Sequence, residues 1–115
     1  MLNALELAHT IVGSLESKKG EDILLLDIKE IASFTDYFVV CTGTSDRMLD
    51  ALAEAALEDV RKRHRKHGRR QGEAREGWVV VDYGDVVVHL FSPDQRTYYS
   101  LEEFWKDGRV VLKLQ

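Results

Sequence analysis

Residues Gly77 to Phe91 read GWVVVDYGDVVVHLF, and few folds accommodate such a stretch. Two β-branched runs, Trp78 to Val81 and Val86 to Phe91, flank the short polar segment Asp82-Tyr83-Gly84-Asp85. That pattern predicts a hairpin whose arms are too apolar for a solvent-facing ribbon. With Tyr83 and Gly84 as a two-residue loop, Asp82 faces Asp85, and the pairs Val81–Val86, Val80–Val87, Val79–Val88 and Trp78–His89 follow. Alternation then puts Val79, Val81, Val86, Val88 and Leu90 on one face. Trp78, Val80, Asp82, Asp85, Val87, His89 and Phe91 take the other. The aliphatic face is the expected core, and the mixed face is a candidate working surface.

The hairpin needs partners, and the rest of the chain supplies them. From Asn3 to Lys18 the apolar residues Leu5, Ala8, Ile11, Val12 and Leu15 recur at helical spacing. Lys18, Lys19 and Gly20 give that helix a cationic C-terminus with a glycine for a left-handed cap. Asp22 to Ile28 reads as a buried strand, Lys29 to Asp36 as an irregular polar link, and Tyr37 to Thr42 as a second strand. Gly43 and Thr44 turn the chain, and Ser45 is placed to cap a long helix. Its apolar face is Leu49, Leu52, Ala53, Ala56, Leu57 and Val60, running to about Lys66. A short edge strand is expected near Arg70 and Gln71. After the hairpin, Ser92-Pro93-Asp94 reads as a turn, Tyr99 to Trp105 as a short helix, and Arg109 to Leu114 as a final strand. If the strands at Tyr37 and Trp78 are parallel neighbours, the long helix is their crossover. The expected fold is α/β: a single domain over residues 1–115, with a mixed sheet of about five strands and flanking helices.

At 115 residues the chain suffices for one ordinary core without disulfides. Its single cysteine, Cys41, excludes an intramolecular disulfide. No secretory signal is expected, and no run reaches the roughly 18 to 20 apolar residues of a membrane span. A cytoplasmic setting is the expectation. The net charge of −4 is unevenly spread: residues 61 to 70, RKRHRKHGRR, hold seven of the 16 lysines and arginines and no acid. Elsewhere nine bases stand against 20 acids, a net of −11. Such a body repels phosphate and suits a basic protein partner.

Several groups could carry chemistry. Asp82 and Asp85, facing each other, would repel, which a cation, a basic partner or solvent relieves; as turn residues they need no further role. A metal-dependent nucleotidyltransferase would use such a pair, yet it also needs a third carboxylate and a phosphate cradle, and neither stands out. Thr42 to Ser45 precedes a helix N-terminus without the spacing of a Walker loop, so capping explains it. Cys41 lies within the apolar run YFVVC, the setting of an inert buried thiol. His64 and His67 are three residues apart among cations, which fits a solvated helix end better than a metal pair. Residues Arg61 to Arg70 could touch RNA, though no aromatic is interleaved for stacking. Phe91, Arg96, Tyr98, Tyr99, Leu101, Phe104 and Trp105 form a dense aromatic group of the kind found at interfaces.

Three segments together resemble the ribosomal silencing factor family, also called the Iojap family: TDYFVVCTGTSDR (Thr35 to Arg47), GWVVVDYGDVVVHLF, and RTYYSLEEFW (Arg96 to Trp105). The resemblance spans nearly the whole chain. It departs at the unusually basic end of the long helix and at the strand after Trp105. The resemblance implies a domain related to the nucleotidyltransferase fold, with no enzymatic activity and no cofactor. It further implies a translational repressor that binds the large ribosomal subunit on large-subunit protein fourteen and blocks small-subunit joining in starvation or stationary phase. Carried over as partner-binding positions are Trp78, Asp82, Tyr83, Asp85 and His89, with Arg96 and Tyr98 beside them. A minor rRNA contact through Arg61 to Arg70 and a homodimer of the free protein are further expectations.

Overall fold

A computed structural model of the chain describes residues 3–99 and 107–114. Helix α1 (Ala4–Ser17) starts where the Asn3 side chain accepts the Glu6 N–H, and it ends with Lys19, not Gly20, in the left-handed region at φ 64°. Gly20 serves close approach instead: a Cβ there would overlap the Cys41 Sγ. Strands β1 (Glu21–Asp27) and β2 (Tyr37–Thr42) follow the apolar runs. Helix α2 (Asp46–His64) is capped by Ser45 as expected, its side chain accepting the Met48 N–H at 3.1 Å. Next come β3 (Arg69–Gln71), a single 3₁₀ turn at Ala74–Glu76, and the hairpin strands β4 (Trp78–Asp82) and β5 (Val86–Phe91). Helix α3 (Pro93–Tyr99) and β6 (Arg109–Leu114) complete the described elements.

The six strands form one mixed sheet in the order β3-β4-β5-β2-β1-β6. Among the described strands only β2 and β5 pair in parallel; the other neighbours are antiparallel. The crossover partner of β2 is therefore β5, not the strand at Trp78. The chain lays down α2, β3 and β4 before β5 returns beside β2. Helices α1 and α2 cover one face, burying Leu7, Ile11, Leu15, Leu49, Leu52 and Val60 against Val39, Val81, Val88 and Leu90. Leu5, expected on that inner stripe, is exposed. The stripe's polar member, Ser14, is buried and donates to Asp59 of α2 at 2.5 Å, and Thr10 bonds His64. A smaller apolar cluster, including Leu24, Leu26, Phe38, Val40 and Phe91, lies on the opposite face.

Two further expectations need correction. The hairpin register pairs Trp78 with Phe91, Val80 with His89 and Asp82 with Val87, two residues from the expected pairing. Tyr83 N–H donates to Val86 O, so Gly84 and Asp85 form the loop. Gly84 has φ +89°, and mirror-type hairpin turns accept glycine at the first loop position as well as the second. Because the slip is two residues, each strand keeps its faces. The second correction concerns Pro93. It does not merely stop β5; it opens α3, with the Ser92 Oγ accepting the Gln95 N–H. Proline suits the first helical position, where no N–H is required. The helix expected over Tyr99 to Trp105 lies, beyond Tyr99, outside the described residues.

Candidate functional site

The face away from α1 and α2 can be built strand by strand. At its β3 edge stand Arg69 and Gln71, whose cross-strand partners are Asp82 and Val80. Trp78, Val80 and Asp82 of β4 follow, all half-buried, then Val87, His89 and Phe91 of β5. Phe38 and Val40 of β2 continue the face, since they pair with Val87 and His89.

An aromatic row runs across it. The exposed Phe34 ring (64% accessible) sits 5.8 Å from Phe38, Phe38 meets His89 edge-on at 4.7 Å, and Trp78 stacks on Phe91 at 5.3 Å. Trp78 Nε1–H, which can only donate, reaches His89 Nδ1 at 3.2 Å. The His89 proton therefore resides on Nε2, which is buried without a hydrogen-bond partner among the described residues. Burial lowers the His89 pKa to about 4, with the nearby Asp82 carboxylate pulling the other way. The imidazole is a neutral member of an aromatic stack. Beside Trp78 and Val80 opens a concavity of about 700 Å³, rimmed by Gln71, Glu73, Arg75 and Gln95.

The expected site residues separate into four groups. Trp78, Asp82 and His89 share this face. Tyr83 does not: it lies on the helix side, buried in the main core, with its ring against Gly68 and its pKa pushed up to about 12 by burial. Asp85 sits in the hairpin loop, where its side chain pairs with Lys66 at 3.2 Å and its carbonyl accepts the Asp36 and Tyr37 N–H groups. Asp82 accepts the Gly84 N–H at 2.7 Å. The two aspartates are thus separate turn-building residues and not a facing pair. Arg96, on α3, donates to the Thr42 Oγ1 and the Asp22 carbonyl, fastening α3 to the ends of β1 and β2. Tyr98 lies on α3, its side chain outside the described set.

The remaining candidates also find places. Cys41 is buried, and burial pushes its thiol pKa up to about 12, which suits an inert core residue. Among the described residues no three His, Cys, Asp or Glu side chains gather to hold a metal ion, and no helix is long and apolar enough to cross a membrane. Sequence reasoning missed Phe34, and it had Arg69 only as part of the basic run, not as a member of this face. Phe34 is an aromatic isolated within a polar link, a signal in itself; Arg69 becomes visible only once β3 is paired with β4.

A mixed sheet with helices on one side and an aromatic, partly open face on the other defines a class of α/β binding domain, in which a broad surface is offered to a partner. Comparison with known proteins carries this further. The family described as "Ribosomal silencing factor during starvation" matches residues 1–115, and the chain belongs to that family. It is 36% identical to the ribosomal silencing factor RsfS of Bacillus subtilis over 110 residues, covering 96% of this chain and 93% of that protein. A mouse protein named "Mitochondrial assembly of ribosomal large subunit protein 1" is 31% identical, over 83% of this chain and 43% of its own length. The crystal structure of a Chromobacterium violaceum protein superposes with a TM-score of 0.84 at 34% identity, covering 91% of this chain and 88% of that one. The family is one of regulatory, ribosome-silencing proteins.

Proposed function

We propose that the protein binds the large ribosomal subunit through the sheet face bearing Phe34, Trp78, Val80, Asp82 and His89. It docks on large-subunit protein fourteen and blocks joining of the small subunit by occupying the surface that the small subunit needs. Translation falls in starvation or stationary phase because bound large subunits are withheld, and no catalytic step is required.

The observation that carries this reading is that the half-buried Trp78 and Val80 share the face opposite α1 and α2 with Phe38, on which the exposed Phe34 ring packs. Aromatic anchors flanked by polar groups are the usual makings of an interface centre. The charge outside residues 61 to 70, −11, complements a basic ribosomal protein. The large subunit is also the assembly named in the mouse relative.

Co-sedimentation with purified large subunits, followed by a subunit-joining assay, tests the proposal. Phe34→Ala removes an exposed ring at little cost to the fold, and Val80→Arg places a like charge before a basic partner. Each is expected to weaken large-subunit binding about tenfold or more, as loss of a contact worth about 1.4 kcal/mol would, and to restore joining. Sedimentation of both variants at the wild-type level would sink the reading.

A further inference from the structure

The ten residues from Arg61 to Arg70 look uniformly cationic in sequence, but the fold divides them. Arg61 and Lys62 share Glu58, at 2.9 and 3.4 Å. Lys66 is held by Asp85 at 3.2 Å, and Arg70 turns to the helix side to meet Asp50 and Glu54. Arg63, Arg65 and Arg69 are exposed, and among the described residues none of the three has an ion-pair partner. We infer that Arg63, Arg65 and Arg69 form a contact for the phosphate backbone of RNA, a second anchor beside the protein-binding face. The inference rests on the docking reading above, because the RNA would be that of the bound subunit.

Three observations favour RNA over an acidic protein. The segment RKRHRKHGRR contains no apolar side chain, whereas a protein interface needs an apolar centre and a phosphate contact needs only charge and donors. All three unpaired cations are arginines, whose planar forks match phosphate oxygens. One of the three, Arg69, also stands at the β3 edge of the docking face, opposite Asp82. The absence of interleaved aromatic residues points to backbone contact without base stacking. The −11 charge of the rest of the chain permits only this end to approach a polyanion.

The test measures salt dependence. Large-subunit binding is followed over a series of potassium chloride concentrations for the wild-type chain, for Arg63→Gln/Arg65→Gln/Arg69→Gln, and for Arg61→Gln/Lys62→Gln. Each phosphate neutralised contributes about −0.9 to the slope of log affinity against log salt. The triple variant should therefore flatten the slope by about 2 to 3, and the double variant should leave it almost unchanged. Equal slopes in the triple variant and the wild type would overturn the inference. So would an equal loss in the double variant, because those cations are already engaged. A labelled RNA duplex of mixed sequence serves as a second probe, with poly-glutamate as competitor. If the wild type fails to bind subunits, the docking reading falls, while duplex binding that the triple variant loses still supports the RNA contact. No duplex binding there, or competition by poly-glutamate equal to that by unlabelled RNA, counts against it.

Discussion

His89 shows how one residue ties the candidate site to stability. Its imidazole is neutral in the folded protein, with a pKa lowered to about 4 from the usual 6.5 by burial. Protonation therefore favours the unfolded chain. The stabilisation is complete above about pH 6.5 and is lost progressively as pH falls toward 4, a total on the order of 3 kcal/mol. Urea unfolding midpoints measured between pH 4 and pH 7 should show this decline, and His89→Phe should remove most of the slope. A wild-type profile flat across that window would contradict the neutral, buried imidazole. At Gly20 the constraint is steric. Gly20→Ala should cost about 1 to 3 kcal/mol by overpacking, because the added methyl meets the Cys41 Sγ. Cys41→Ala in the same chain should recover part of that loss, and a double-mutant cycle reads the coupling directly.

At the scale of elements, much was legible. The strand Tyr37–Thr42, the Ser45 cap and both hairpin faces follow from local pattern, because capping chemistry and side-chain alternation act within a few residues. Ser45→Ala should cost about 1 kcal/mol, seen as a lower thermal midpoint with unchanged far-ultraviolet circular dichroism near room temperature. What could not be read is what depends on distant pairing. The inward Ser14 sits among apolar residues, and only the packing of α1 on α2 reveals Asp59 as its acceptor. Ser14→Ala should destabilise by about 1 to 3 kcal/mol, since it leaves a charged acceptor without its donor. Asp82 and Asp85 looked like a site because the assumed register opposed them. One different choice of loop residues converts them into a turn acceptor and a partner for Lys66. The direction of Arg96 was equally hidden, as its acceptors lie on β1 and β2, more than fifty residues away.

For the molecule as a whole, β6 completes the sheet by covering the outer edge of β1, an apolar run of Ile23 to Leu26. Deleting residues 109 to 114 would leave that run as an open edge of the kind that recruits other chains. The truncated protein is expected to elute as aggregates in size-exclusion chromatography, and a monodisperse, folded product would show that β1 needs no such cover. The two-sided design was legible from the hairpin alone, which already separated an aliphatic face from a mixed one. The strand order was not, because nothing in the local sequence says that β5 returns to β2 while β4 turns outward. The tight turn at Gly84 and Asp85 has one more implication, for how this gene can vary. With the loop held at two residues, loss of a single codon there would put the two arms out of phase, turning either Val79 and Val81 or Val86 and Val88 away from the helices. Loss or gain of two codons would preserve the phase, so length variation at this turn should be tolerated in even steps.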